Sequence, residues 1–430
     1  MSKNVPIGEI CYVYDGPHAT PIKTKSGPIY LGIDAVTDGG RLNPAEFSYL
    51  SESDYKIWTK RITPQCDDIV FSYEATLGRY AMIPEGFYGC LGRRLAIVRA
   101  KDSRVNPRWL YYYFLSPEWS AFIANHTVKG STVNRISVED YPNYPIPLPE
   151  RKTQDAVVEV LSTIDQKIDN NTNLCVELES MAKTLYDYWF TQFDFPNAEG
   201  KPYRSSGGEM VWNDQLKRKI PKGWDTATIN EMTKSCRGVS YDKNDLLPSP
   251  ENGVLVLRGN NIQNNRLVYD NNVAYVPHSL VAKEQQISAH DIILTMSSGS
   301  KDHIGKCTMF QYDSPHTYGA FLTKFTPDKD KVGFVYLSMI SDFFKKKVKA
   351  ICNGTGINNL TNETFDNLIF PKPTEAVLAR FEETIATVYK GNIIKNLIMD
   401  CQSYTKYRPN ETTGGIFVSW RRKEELPTGA

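Results

Sequence analysis

The sequence predicts an α+β protein made of two copies of one mixed α/β domain, each followed by a long helix, with the two helices pairing as a coiled coil. Three observations predict it. The chain repeats itself over a long period, each copy carries short β-rich runs broken by Gly, Pro and Asn, and each closes with Pro-x-Pro before an extended helical pattern. At 430 residues the chain is also too long for one typical core, so more than one domain is expected.

The repeat is clearest near the end of each half, where one shift carries Gly130 onto Gly354. Gly130-Ser131-Thr132-Val133-Asn134-Arg135-Ile136 then faces Gly354-Thr355-Gly356-Ile357-Asn358-Asn359-Leu360. The same shift keeps Tyr141 on Phe365, Pro147 on Pro371, Pro149 on Pro373, Val157 on Phe381 and Leu161 on Ile385. Upstream, Ile29–Val36 resembles Leu255–Ile262, and Asp68-Ile69-Val70-Phe71-Ser72 resembles Asp291-Ile292-Ile293-Leu294-Thr295. A period this long signals a duplicated domain, since solenoid repeats run to only about 20–50 residues.

Within each copy the β-rich runs Asp68–Tyr73, Arg94–Arg99, Val254–Leu257 and Ile292–Met296 are expected as strands. Pro107–Phe122 and Val332–Val348 are expected as short helical stretches before the glycine loop. Domains are expected at 1–149 and 223–373, long helices at 150–195 and 374–408, a connector at 196–222 and a flexible tail at 409–430.

The first long helix spans about Glu150 to Phe190 without Pro or Gly. Its apolar positions Val157, Leu161, Ile164, Ile168, Cys175, Leu178, Ala182, Leu185 and Trp189 step 4-3-4-3 around Asn171, the spacing of a coiled-coil seam. About 40 helical residues extend about 60 Å, the length of a spacer. The second helix, about Glu375 to Tyr407, carries Leu378, Phe381, Ile385 and Val388, then changes phase near Gly391 to Ile394, Leu397, Cys401 and Tyr404. Such stripes are ordinary core in most helices. Two matching stripes without an obvious partner in their own domains favour pairing with each other.

Several functions are excluded. No apolar run reaches a membrane span and no apolar signal core follows Met1, so no membrane is expected as a partner and the location expected is the cytoplasm. Eight dispersed cysteines without a CxxC pair argue against zinc and against a disulfide framework, and the six histidines lack metal-ligand spacing. There is no GxGxxG after a strand, no GxxxxGK[ST] loop and no Asn-Pro-Pro-aromatic or Asp-Pro-Pro-aromatic stretch, so neither methyl transfer nor ATP hydrolysis is encoded. The net charge of +1 gives no bulk basicity, leaving DNA binding to local patches such as Arg93-Arg94, Lys217-Arg218-Lys219 and Lys345-Lys346-Lys347. Runs this short also occur as solvated faces.

Two stretches carry a family resemblance. Tyr141-Pro-Asn-Tyr-Pro-Ile-Pro-Leu-Pro-Glu-Arg-Lys-Thr-Gln154, running into Val160–Ile168, resembles the central region of the specificity (S) subunits of type I restriction-modification systems. Leu185-Tyr-Asp-Tyr-Trp-Phe190, Phe193-Asp-Phe-Pro196, Pro202–Gly208 and Ile220-Pro-Lys-Gly-Trp224 resemble the connector between that family's two target-recognition domains. The resemblance covers Val5 to Arg408. It implies a non-catalytic subunit in which each target-recognition domain reads one half of a bipartite site in double-stranded DNA. It further implies an antiparallel helix pair that spaces the halves, and two modification (methyltransferase) subunits docked on it. Those partners would supply S-adenosylmethionine, none being bound by this chain, and methylate a flipped adenine; restriction (translocase/nuclease) subunits join the complex in some members. An S-like scaffold that holds partners without reading sequence is the competing expectation.

Base reading needs donors and acceptors in loops: Arg or Lys for guanine, Asn or Gln for adenine, with hydroxyls and cations for phosphates. Lys129, Gly130, Ser131, Thr132, Asn134 and Arg135 supply these within one loop, and Gly354, Thr355, Asn358 and Asn359 within its copy. A glycine turn capped by hydroxyls would read the same. Tyr73, Thr76 and Arg79, with Ser297, Ser298, Ser300 and Lys301 in copy two, form a second set, also compatible with plain flexible loops. Arg258, Asn260 and Asn261 are base readers or turn residues between strands.

Overall fold

The structure, a computed structural model, describes residues 3–129, 134–248, 251, 253–268, 273–354 and 359–388. The described residues fall into two compact units, one reaching to Asp169 and the other starting at Asn170.

The first unit opens with β1 (Lys3–Pro6), the single turn α1 (Ile7–Ile10) and β2 (Cys11–Asp15). There follow β3 (Thr24–Leu31), β4 (Ser48–Tyr49), α2 (Glu52–Trp58), β5 (Ile69–Ser72), β6 (Tyr80–Met82), β7 (Gly89–Leu91) and β8 (Leu95–Ala100). Helices α3 (Pro107–Phe114) and α4 (Pro117–Asn125), strand β9 (Pro145–Leu148) and helix α5 (Arg151–Tyr186) complete it, α5 belonging to the second unit from Asn170 onward. The strands form a four-stranded antiparallel sheet in the order β2-β8-β5-β6, a three-stranded sheet β4-β3-β7 and the pair β1-β9.

The second unit starts with the hairpin β10 (Met210–Asn213) and β11 (Arg218–Pro221), then repeats the scheme. Its elements are β12 (Asp225–Thr228), α6 (Ile229–Met232), β13 (Thr233–Arg237), β14 (Gly253–Leu257), β15 (Ile262–Gln263), β16 (Arg266–Leu267), β17 (Ala274–Pro277) and β18 (Ile292–Thr295). Then come β19 (Cys307–Met309), β20 (Thr317–Tyr318), β21 (Leu322–Pro327), α7 (Val332–Ile340), α8 (Asp342–Gly354), α9 (Asn362–Asp366), β22 (Ile369–Lys372) and a helix, α10, over residues 375–388. Its sheets run β13-β21-β18-β19, β17-β14-β20 and β12-β22. Each matches its counterpart strand for strand, including the one parallel pairing, β3 with β7 and β14 with β20. The duplication read from the sequence is therefore a duplication of topology.

Each central strand is buried on both faces and feeds two cores, because successive side chains point to opposite sides. Ile69 and Phe71 pack with Trp109, Trp119 and Tyr141, while Val70 packs with Leu31, Ala81 and Ile97. Ile292 and Leu294 pack with Phe325, Phe334 and Phe365, while Ile293 packs with Leu257 and Phe310. The two expected helical stretches are each broken into two helices. A serine N-cap makes the break in both copies: Ser116 Oγ accepts from Trp119 N at 3.2 Å, and Ser341 Oγ from Phe344 N at 3.2 Å.

The entry of α5 is pinned to the first unit by polar contacts. Gln154 is fully buried, accepts from Asn106 N at 2.8 Å and donates to the carbonyls of Arg104 and Pro149 at 2.9 and 2.8 Å. Next to it Asp155 pairs with Arg151 and Asn106, and farther along the helix Asp165 accepts from Tyr112 Oη at 2.7 Å and Asp169 meets Arg41. Of the expected seam, Cys175, Ala182 and Trp189 are buried and Val157, Leu161, Ile168, Leu178 and Leu185 half-buried, whereas Ile164 is 38% exposed.

Of the second stripe, Leu378, Phe381 and Ile385 are buried, with Val388 packed beside them, in one core with Ala182, Trp189 and Phe190. Phe381 meets Phe190 and Trp189 at 4.6 and 5.4 Å between ring centroids, and Glu382 accepts from Gly333 N and Phe334 N at 2.9 and 2.8 Å. Ile394, Leu397, Cys401, Tyr404 and the tail 409–430 lie outside the described residues.

A buried aspartate stands before each central strand. Asp68 is 2% exposed; its carboxylate accepts from Gln65 N at 2.8 Å and from Arg99 at 2.7 and 2.6 Å. Asp291 is 1% exposed and accepts from Ser288 N at 2.7 Å and Thr326 Oγ1, with Lys324 Nζ at 3.2 Å. Removing one member of such a pair leaves an uncompensated buried charge and costs about 3–5 kcal/mol. Asp291→Ala is expected to lower the unfolding free energy by about that amount, whereas the double variant Asp291→Ala/Lys324→Met recovers part of it. Denaturant titration of both variants checks this; equal midpoints for wild type and Asp291→Ala would show the pair to be dispensable.

Candidate nucleic-acid interface

The two sets of candidate residues in each copy come together at one corner of the domain. In the first unit three backbone bonds build it. Gly16 N donates to Leu95 O at 2.8 Å, Tyr73 N to Arg94 O at 3.1 Å, and Ile136 N to Tyr73 O at 2.8 Å. They tie the turn after β2, the turn before β8, the loop after β5 and the base of the glycine loop into one surface. In the second unit the counterparts are Gly238 N to Leu322 O at 3.1 Å, Met296 N to Phe321 O at 2.9 Å, and Leu360 N to Met296 O at 2.8 Å. The recurrence of all three bonds fixes the residue equivalences, Tyr73 with Met296 and Asn359 with Arg135 among them.

The glycine loop of the first unit closes through reciprocal bonds between Val128 and Arg135 at 2.9 and 3.1 Å. Closing the neck so tightly sends Lys129 and Asn134 outward. Lys129, Asn134 and Arg135 are all exposed, and neither cation pairs with a carboxylate among the described residues. Lys129 and Asn134 also line a cleft of about 360 Å³ with Leu77, Gly78, Trp119 and Ser120, joining the two candidate loops. The floor of this cleft is rigid: Trp119 Nε1 donates to Tyr80 Oη at 2.7 Å, which lies 3.2 Å from Tyr141 Oη. Burial pushes the Tyr80 hydroxyl up to about 12, so it stays a neutral hydrogen-bonding group. Gly130, Ser131 and Thr132 lie outside the described residues.

Three candidates are placed elsewhere than expected. Tyr73 is buried in the core, leaving only its backbone at the corner. Arg79 is engaged by Asp38, with Nε and Nη2 at 2.7 and 3.0 Å from the two carboxylate oxygens, so this fork is not free for a base. Asn261 is buried, accepting from Arg258 N at 2.8 Å and donating to Val268 O at 2.9 Å; its role is to hold the turn before β15. Thr76 is half-buried, its hydroxyl without a hydrogen-bond partner. Arg258 donates to Tyr241 Oη at 3.0 Å, and Asn260 accepts from Gln263 at 3.2 Å.

In the second unit Asn359 is exposed and its side chain meets Ser297 Oγ. Ser298 is half-buried and bonds Ser300 N at 3.3 Å, while Ser300 and Lys301 are exposed. Gly354 is the last residue of α8; Thr355 and Asn358 lie outside the described residues. The set omitted Arg237, which is exposed beside the same corner and donates to Ala320 O at 3.1 Å. Arg93, named only as part of a short basic run, is likewise exposed at the equivalent turn in the first unit. A signal for both existed in the paired turns Gly92-Arg93-Arg94-Leu95 and Gly319-Ala320-Phe321-Leu322. Chemically, each corner offers cations, amides and hydroxyls to phosphates and base edges. Among the described residues no group of three His, Cys, Asp or Glu could hold a metal ion, and no helix is long and apolar enough to cross a membrane.

Comparison with known proteins agrees with this architecture. The family model described as the type I restriction modification DNA specificity domain matches residues 4–180 and again residues 221–386. The type I restriction enzyme StySPI specificity subunit of Salmonella potsdam is 33% identical over 173 residues, 40% of this chain and 37% of that protein. That match thus spans little more than a third of the relative's length. The MjaVIII specificity subunit of Methanocaldococcus jannaschii is 23% identical over 376 residues, 86% of this chain and 79% of its own. The crystal structure of a type I restriction-modification S subunit from M. genitalium shares the fold at 14% identity and a TM-score of 0.50, covering 93% of this chain and 94% of that one. With both units matched and more than half of its residues covered, the chain belongs to the type I restriction-modification DNA specificity family.

Proposed function

We propose that this chain is the DNA-specificity subunit of a type I restriction-modification complex, each unit reading one half of a bipartite site in double-stranded DNA. The observation that carries the reading is the recurrence of one loop corner, held by the same three backbone bonds, in both copies of the family domain. Identical scaffolds carrying different outward side chains suit two different half-sites. Lys129, Arg135 and Arg93 in the first unit, and Lys301, Arg237 and Asn359 in the second, are the side chains assigned to DNA.

In this reading α5 and α10 pair as an antiparallel coiled coil that spaces the half-sites. The support is local: Trp189 and Phe190, just past α5, pack on Phe381 in the middle of α10. A return helix held at that contact runs back along the Cys175–Trp189 stripe. Two modification subunits dock on the pair, carry S-adenosylmethionine and methylate adenine after flipping it from the stack; restriction subunits add cleavage where they are present. The whole assembly works in the cytoplasm, and this chain contributes recognition and positioning without catalysis.

The competing reading, a scaffold that does not read sequence, is separated by measuring binding of the assembled complex to one duplex against scrambled duplexes. Specific, salt-dependent preference is expected; equal affinity for all duplexes would favour the scaffold.

A second measurement addresses the loop. Lys129→Ala with Arg135→Ala is expected to weaken DNA binding and flatten the salt slope by about one unit per lost phosphate contact, with assembly intact. An unchanged slope in the assembled variant would make the loop a structural turn. Finally, the purified chain alone is expected to show no methyl transfer, assayed with labelled S-adenosylmethionine; a rate matching that of the complex would refute the non-catalytic role.

A further inference from the structure

The corner of the second unit presents an apolar side chain where the first presents charge. Phe321 is 67% exposed, yet its backbone is held by hydrogen bonds. Its carbonyl accepts from both Met296 N and Ser297 N, at 2.9 and 3.3 Å. The turn it ends is closed by Leu322 N donating to Gly319 O at 2.8 Å and anchored by Gly319 N donating to Leu257 O at 2.9 Å. Gly238 packs so closely that a Cβ there would lie 2.3 Å from Gly319 O, so the turn cannot shift toward β13. The guanidinium of Arg237 is held beside it by the bond to Ala320 O.

The equivalent turn of the first unit shares the bonds that Gly16 N and Tyr73 N make to Leu95 O and Arg94 O, and carries different side chains. Gly92 takes the place of Gly319, Arg93 that of Ala320 and Arg94 that of Phe321, while Asp15, paired with Arg61, replaces Arg237. Arg94 lies 3.2 Å from Glu74, the residue equivalent to Ser297. A lone exposed phenylalanine is ordinary on a protein surface. This one sits on a turn held by backbone bonds, next to Ser297, which meets Asn359, and its counterpart in the first unit is the arginine Arg94.

We propose that Phe321 is a specificity-determining contact of the second unit, laid against the 5-methyl group of a thymine in the second half-site with Arg237 alongside it. The inference rests on the assignment of this corner to DNA. Phenylalanine has neither donor nor acceptor, so it cannot read the hydrogen-bonding edge of a base. Among base-pair edges the thymine methyl in the major groove is the apolar feature it can recognise. Burying one methyl group gives a discrimination of about fourfold against a base that lacks it. The first unit, with Arg93 and Arg94 at the same turn, makes no such contact and reads its half-site through hydrogen bonds.

The test uses the full complex and a duplex carrying its methylated motif, with each thymine of the second half-site replaced in turn by deoxyuridine. For the wild-type chain one replacement is expected to weaken binding about fourfold. For Phe321→Ala, affinity for the all-thymine duplex falls about tenfold or more and that replacement has no further effect. Thermal melting should match wild type, because the side chain contributes nothing to the core. Phe321→Ala with unchanged affinity overturns the inference, as does a loss accompanied by indifference to every deoxyuridine, which would mark a wedge between base steps. Asn359→Ala and Lys301→Ala in the same assay separate the two levels. If they weaken binding while Phe321→Ala does not, this inference alone fails. If all three are silent in an assembled complex, the assignment of the corner to DNA fails with it.

Discussion

The carboxylate buried before each central strand is the constraint on which the rest of the domain depends. Taking a charge out of water costs several kcal/mol unless donors and a counter-charge replace its hydration. Asp68 and Asp291 obtain those from a backbone N–H three residues earlier and from a cation on the neighbouring strand. The cation must therefore lie next to the turn that starts the central strand, and β8 and β21 are brought into register beside β5 and β18. The copies meet the requirement differently. Thr326 stands where Arg99 stands in the first unit, and Lys324 reaches the carboxylate from two residues away, donating to Gln286 O as Arg99 does to Thr63 O. What persists is the electrostatic solution, not the residue.

From that register the outward corner follows. Strands fixed in depth place the ends of β2, β5 and β8 together, and their turns exchange backbone bonds that leave side chains free to vary. Backbone groups supply the rigidity, so the cost of changing an outward residue is small. A domain with this division can change what it recognises without losing its fold.

The helices impose a different requirement. Each must keep a fixed orientation on its own domain, and each does so by satisfying a helix or turn terminus that would otherwise be left open. Gln154 does this as a neutral amide that completes Asn106, Arg104 and Pro149. Glu382 does it as a carboxylate facing the first N–H groups of α7, where the helix dipole favours negative charge. Burial raises the carboxyl of Glu382 above its usual range, partly opposed by those two backbone donors.

Much of this was legible in the sequence, because repetition and periodicity are local properties. The shift that carries Gly130 onto Gly354 revealed two copies, Asp-Ile-Val/Ile revealed the central strands, and the 4-3 stepping from Val157 to Trp189 revealed a continuous helix. The glycine loop and the loop after β5 were recognised separately, but nothing in their spacing said that they touch. Only the tertiary structure decided that Ile136 bonds Tyr73, that the Tyr73 side chain turns inward, that Asp38 occupies Arg79, and which residues of the long helix Phe381 meets. It also decided which turns correspond. The loop after β18 is longer than the loop after β5, so beyond it the copies slip out of the register that aligned their ends, and Arg94 and Phe321 no longer face each other at the original shift. Sequence records the order of residues, whereas long-range backbone hydrogen bonds and burial, which depend on distance in space, determine which loops meet and which side chains face outward.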